Sequence, residues 1–341
     1  MSHLRSIAPF LRKSGLTALV IVLSALTIWG FGAIHFDAPF PGWRNTLLAV
    51  VWLVLLVFAL KHFRTVGRRL AAWSALWLLV VIPWSLKKPS HDREWPAEFA
   101  RVTTAEVDGD EVIFQNFRSF DYQPDGTPIE RWMTRKVRLS NLKGMDFFMT
   151  YWGDGTLVGH PIFSFDFGED GHVAFSIESR REKDETYTLL GGLYKRYEMI
   201  YIVGDESDII RLRTNFRERE NVYLYRLHVR QSTVMLRFME YLDAMNRLES
   251  NPRFYDTLTG NCTTAIRAQI TTSERNSWDW RILANGKLDE LFFERDMLSK
   301  ELPFDELKER SLINPVAKAH VGVDGFSEKI REKLPGFDPS K

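Results

Sequence analysis

Hydrophobic positions crowd into the first 86 residues of the chain, and the pattern changes after them. Leu16 to Phe36 is 21 residues without a charge, long enough to cross a bilayer at about 1.5 Å per residue. Asn45 to Leu60 and Leu70 to Leu86 run for 16 and 17 residues. Basic flanks that snorkel, with Trp43 and Trp84 at the interface, extend both to spanning length. The pattern predicts a transmembrane module over residues 1–86, with spans at about 16–36, 45–60 and 70–86. A helical hairpin buried in a soluble core is the competing reading, but three such runs in tandem are hard to bury otherwise.

Beyond residue 86 the apolar positions follow shorter periods. "KKPSHDREWP", 87–96, is a polar, proline-bounded linker. "AEVDGDEVIFQNFRSFDY" reads as strand, turn and strand, and alternating strands continue through "ERWMTRKVRLSNLKGMDFFMTYWG". "HPIFSFDFGEDGHVAFSIESR" is the clearest hairpin: Ile162, Ser164 and Asp166 alternate with Phe163, Phe165 and Phe167. "YEMIYIVGDESDIIRLRTNF" is expected to supply two more strands and "ENVYLYRLHV" another. From Gln231 the spacing becomes helical, with Val234, Phe238, Leu242 and Met245 on one face. A second helix opens at Cys262, a polar and mostly helical stretch follows, and the tail 321–341 is expected to be poorly packed. The fold class is therefore α+β: a three-helix membrane module, then a domain over 97–320 built on a mostly antiparallel sheet.

Charge adds an orientation. The net charge is +1, without the basic excess of a nucleic-acid binder. Arg5, Arg12 and Lys13 precede the first run, and Lys61, Arg64, Arg68 and Arg69 lie between the second and third. The positive-inside rule puts the N-terminus and that loop in the cytoplasm, and three crossings put the domain outside. Lys87 and Lys88 oppose this, but are outnumbered.

Cys262 is the only cysteine in 341 residues, so no disulfide forms within the chain. A lone cysteine is often only a small apolar residue. This one follows Gly260-Asn261 and opens a helix, where unpaired N–H groups favour a thiolate. Asn261 and Tyr255 before it and Thr263 after it are residues that would shape a site, although Asn261 could equally be only the turn residue.

Of the histidines, only His160 and His172 fall on the central hairpin. If "GEDG" turns the chain, opposing residues put His160 across from Glu178 and His172 across from Asp166. At about 3.3 Å per residue the two histidines stand roughly 20 Å apart, so both cannot serve one thiol. His160 follows the glycine-rich "YWGDGTLVG" and has a carboxylate to orient it, the role a third residue plays beside a catalytic histidine. Glu178 could equally pair with Arg180 or Arg181, and His172 reads as a solvated turn residue. One cysteine with scattered histidines gives no zinc-site spacing, there is no phosphate loop or nucleophile elbow, and no cofactor is expected.

"VGHPIFSFDFG" followed by "YDTLTGNCTTAI" resembles the Lnb N-terminal periplasmic domain family, whose best-known members are alternative lipoprotein N-acyltransferases. "KPSHDREW", "FSIESRRE" and "GDESDIIRLRTNFR", with the three-span module, look like its membrane-anchored branch. The order His before Cys is also similar to permuted papain-like enzymes such as the lecithin:retinol acyltransferase group. The resemblance implies Cys262 as nucleophile and His160 as base, with the third residue either Glu178, by strand pairing, or His172, by the spacing of that group. It implies a membrane-anchored periplasmic cysteine acyltransferase or acyl hydrolase acting through a thioester on phospholipid or lipoprotein. A cysteine peptidase acting on cell-wall peptides and a non-enzymatic binding protein with an inert Cys262 are the other expectations. The expected partners are inner-membrane lipid and no nucleic acid.

Overall fold

A computed structural model describes residues 2–337 except 41, 154–157, 184, 272–274, 276, 284 and 321, with side chains from residue 14 onward. Residues 154–157 of the glycine-rich stretch before His160, the side chains of Arg5, Arg12 and Lys13, and the last four residues lie outside that description. The chain forms two compact units, Met1–Pro89 with Thr188–Tyr197, and Ser90–Tyr187 with Glu198–Lys341.

In the first unit α1 (Ser2–Asp37), α2 (Trp43–His62) and α3 (Val66–Leu86) pack together. Over Ser14–Asp37, Trp43–His62 and Val66–Leu86 these helices are long and apolar enough to cross a membrane. Their apolar residues point mostly outward, because lipid rather than protein is the solvent they suit. Inside, tryptophans find partners for their indole N–H groups: Trp52 donates to the Leu76 carbonyl (2.9 Å) and Trp73 to Thr27 Oγ1 (3.0 Å).

The second unit is built on a mixed sheet. Its strands are β1 (Thr104–Asp108), β2 (Glu111–Arg118), β5 (Trp132–Arg138), β6 (Gly144–Trp152), β7 (Gly159–Asp166), β8 (His172–Arg180), β9 (Glu198–Gly204) and β10 (Glu220–Arg226). β3 (Asp121–Tyr122) and β4 (Pro128–Ile129) make a separate ribbon. The order is β1-β2-β9-β8-β7-β6-β10, with β5 beside β2, antiparallel except for β2 and β9. α4 (Glu206–Arg211), α5 (Gln231–Ser250), α6 (Cys262–Gln269), α7 (Leu288–Glu294), α8 (Phe304–Arg310), α9 (Asn314–Ala319) and α10 (Phe326–Lys329) complete it.

Both sheet faces are covered. Phe163, Phe165 and Phe175 pack with α5, α6 and α7, whereas Ile162, Ala174 and Ile202 pack with α4, α9 and α10. The polar alternates of the hairpin are buried too, Ser164 and Ser176 among them. Such burial obliges each polar group to find a partner, and it is from these positions that the candidate site is drawn.

Three expectations are corrected. "YEMIYIVGDESDIIRLRTNF" is one strand, β9, followed by α4 and a π-helical turn over Leu212–Phe216, not two strands. Gly204 ends the strand where a Cβ would come within 2.1 Å of the Arg118 carbonyl, and Glu206 and Asp208 then suit a helix N-terminus. The tail is well packed: Phe326 and Ile330 are in the second core, and Arg331 bridges the buried Asp146 and Glu206 at 2.6 Å to each. The linker is not free beyond residue 89, since Ser90 N and Arg93 both donate to Glu198 Oε1, at 2.9 and 3.2 Å.

Candidate active site

Cys262 is the first residue of α6 and is only 4 % exposed. The helix starts there because Asn261 and Thr264 cap it reciprocally. Asn261 Oδ1 accepts from Thr264 N and Thr264 Oγ1 accepts from Asn261 N, both at 2.9 Å. Asn261 Nδ2 donates to the Thr257 carbonyl (2.8 Å), so this side chain is spent on holding the turn. Upstream, Asp256 and Gly260 close a bridge, and Asp256 Oδ1 collects the N–H groups of Leu258 and Thr259.

His160 is the second residue of β7 and is buried. The observed register, Ile162 with Ser176 and Asp166 with His172, is the one the hairpin pattern predicts. Accordingly, Glu178 Oε1 stands 3.1 Å from His160 Nε2. Ser176 Oγ lies between them, 2.7 Å from Nε2 and donating to Glu178 Oε1 at 2.7 Å. Cys262 is close enough to the imidazole to help raise its pKa.

Burial alone would lower the imidazole pKa. The Glu178 carboxylate opposes this more strongly than Arg213 reinforces it, and with the bonds from Cys262 and Glu178 the pKa rises to about 9. Burial would raise Glu178, but His160 and Arg213 hold its carboxyl well below the usual range. Arg213 Nη2 donates to Glu178 Oε1 (2.6 Å) and Nη1 to Glu220 Oε2 (3.1 Å). Tyr255 is buried, with its ring edge-on to Tyr187. Burial, then the nearness of Cys262 and Tyr187, keeps its phenol protonated.

Three residues in this constellation carry no local sequence signal. Ser176 is an alternate of the hairpin, and Arg213 sits in the π-helical turn, an irregularity common at functional sites. Asn285 joins from 23 residues downstream: its Nδ2 donates to Cys262 Sγ (3.3 Å), while its Oδ1 accepts from Gly159 N (3.1 Å). Gly159 sits tightly here: a Cβ would lie 2.1 Å from the end of Met149, which would have to move, and 3.0 Å from the Thr150 carbonyl.

Neither Arg180 nor Arg181 pairs with Glu178 among the described contacts. Arg180 donates to the Phe99 carbonyl and Arg181 lies over the Phe99 ring. His172 is not a solvated turn residue either. Its ring is enclosed 3.8 Å from Asp166, at the far end of the hairpin from His160. With Asp146 and Glu206 it brings three metal-ligating atoms within 4.8 Å. Those two carboxylates are already bonded by Arg331, and Arg226 Nε lies 2.7 Å from Asp146, so guanidinium groups supply the positive charge.

Beside α6 lies a cavity of about 330 Å³. Phe163, Tyr241, Ile266, Leu288, Leu291 and Phe292 form much of its wall, and Thr263, the neighbour of Cys262, reaches it. Protein cores are close-packed, so a void of this size is in the range of a small-molecule site.

Residues 129–286 match the family model described as the Lnb N-terminal periplasmic domain. The matched stretch runs from β4 to just past Asn285 and contains His160, Glu178 and Cys262. No curated protein and no solved structure matches the chain.

Proposed function

We propose that the protein is a membrane-anchored periplasmic acyltransferase or acyl hydrolase that works through a thioester on Cys262. The observation that carries this reading is the grouping of Cys262, His160 and Glu178, a sole thiol at a capped helix N-terminus beside an imidazole that a partly buried carboxylate orients. On this reading the domain is a permuted papain-like one, with Glu178 rather than His172 as the third residue.

Cys262 attacks as the thiolate, its proton resting in the imidazole pair. The Sγ–C bond forms at the carbonyl of a phospholipid or lipoprotein ester, the ester C–O bond breaks, and His160 gives its proton to the departing alcohol oxygen. An amine, such as a lipoprotein N-terminus, or water then attacks the thioester, gives its proton to His160, and the thiolate leaves. Asn285 Nδ2, already aimed at Sγ, and the backbone N–H of Cys262 are the donors for the oxyanion. Glu178, tied by Ser176 and Arg213, fixes the imidazole. The apolar cavity reached by Thr263 suits the aliphatic part of such a donor.

The test is the intact mass of detergent-purified protein after incubation with phospholipid. Wild type should gain a fatty-acyl mass that hydroxylamine removes, and Cys262→Ala and His160→Ala should not. Asn285→Ala should slow adduct formation by about 10²–10³-fold, the usual cost of one oxyanion donor. A reactive thiol without adduct would favour a peptidase. An iodoacetamide-resistant thiol without adduct would return the protein to a binding role.

A further inference from the structure

Ten residues between β8 and β9, Thr188–Tyr197, belong to the helical unit rather than to the sheet that flanks them in sequence. Their seat is well built. Tyr194 lies against Gly32 of α1, where a Cβ would fall 1.9 Å from its hydroxyl, and stacks on Phe36 at 5.1 Å. Asp37 Oδ2 accepts from Lys195 N (2.9 Å) and from Trp84 Nε1 (2.7 Å), and Lys87 Nζ reaches Oδ1 (3.1 Å). Lys195 Nζ donates to the carbonyls of Trp84, Ser85 and Lys87 at 2.9 to 3.2 Å. These lie at the C-terminal end of α3, where a cation is favoured and carbonyls lack helical partners.

The segment is thereby fixed at the end where α1 and α3 finish and α2 begins. Its apolar side chains are left outward: Leu189 is 52 % exposed, Leu190 63 % and Leu193 37 %. At the same end Trp43 and Leu86 are each 70 % exposed and Phe40 50 %. Aromatic residues at helix ends mark the level where hydrocarbon meets headgroups, and basic residues sit favourably beside the phosphates there. Three outward leucines on a strap seated at that level match the apolar side of the boundary, and Arg196 is the basic residue that accompanies them.

We infer that residues 188–197 form an interfacial element that inserts Leu189, Leu190 and Leu193 among lipid headgroups beside the helical module. The inference rests on the reading of α1–α3 as membrane-crossing. The occupant of this apolar strip is lipid, because the strip is continuous with helices whose own outward faces suit lipid.

The test uses full-length protein in which Cys262→Ala removes the sole cysteine. Single cysteines replace Leu189, Leu190 and Leu193 in turn, with Leu79→Cys on α3 as the reference for a lipid-facing position. Each is labelled with an environment-sensitive dye and reconstituted into vesicles of phosphatidylcholine and phosphatidylglycerol containing spin-labelled lipid. The three strap labels should emit to the blue of the free dye and be quenched several-fold more by a shallow spin label than by a deep one. Leu79→Cys should show the opposite depth preference. Unquenched, water-like strap labels beside a quenched Leu79→Cys would overturn the inference and leave the membrane reading intact. Blue-shifted but unquenched strap labels would overturn it too, since protein rather than lipid would cover the leucines. No quenching at any position would remove the membrane reading itself.

Discussion

In the proposed mechanism His160 is the residue on which the chemistry turns, and its environment makes a sharp claim about protons. A pKa of about 9 means that the ring is an imidazolium at neutral pH, held so chiefly by Glu178 against the cost of burial. Glu178→Gln should therefore move the ring's titration down from about 9 toward its ordinary 6.5, which NMR of the imidazole would read directly. An unchanged titration would remove Glu178 from the site. The stability sign follows. His160 is raised in the fold, so its contribution is complete below pH 6.5 and is lost as pH rises through about 9. Glu178 is depressed, so its contribution is present above the usual carboxylate range and is lost as pH falls below it. Thermal unfolding should show the largest gap between wild type and Glu178→Gln between those limits, narrowing by about pH 10. At this scale sequence reasoning reached Cys262, His160 and Glu178, since a helix start and a two-residue period locate them. It missed Asn285 and Arg213, because each arrives from an element whose place beside the thiol only the tertiary fold decides.

Elements hold these residues in place through their ends. α6 has eight residues, too few for a stable helix alone, so its start depends on the Asn261–Thr264 box. Asn261→Ala should cost about 1 kcal/mol and lower thioester formation, whereas Asn261→Asp should restore most of both. Calorimetry and the mass assay on the two variants would check this, and equal loss in both would point to a direct chemical role. The mistaken strand in "DIIRLRTNF" has a physical cause: two adjacent isoleucines have strong β propensity, but the preceding acidic turn and burial against the sheet favour a helix. The tail misled for a similar reason, since its polar composition conceals two anchors, Phe326 and Ile330, and one charge, Arg331. Arg331→Ala would leave the buried Glu206 without its guanidinium and Asp146 with Arg226 alone, and should cost about 3 kcal/mol by chemical denaturation. A shift under about 1 kcal/mol would mean that the network is dispensable.

For the whole molecule, apolar helices and a domain matching a periplasmic family describe a membrane-anchored protein with a periplasmic domain. The charge asymmetry then predicts a cytoplasmic N-terminus and a C-terminus outside. Alkaline phosphatase fused after Lys341 should be active in cells, and green fluorescent protein at the same point should be dark. The reverse pattern would invert the topology. The seating of residues 188–197 among the helices bears on how such a chain can be altered. The anchor and the sheet domain are interleaved, with the backbone passing between them after residues 89, 187 and 197. A chimera joined at residue 89 to a foreign anchor would inherit a strap with no groove for Tyr194 and no acid for Lys195. Interchange of anchors thus has to move Gly32, Phe36 and Asp37 together with the ten-residue strap, so the two halves can be exchanged only as one piece.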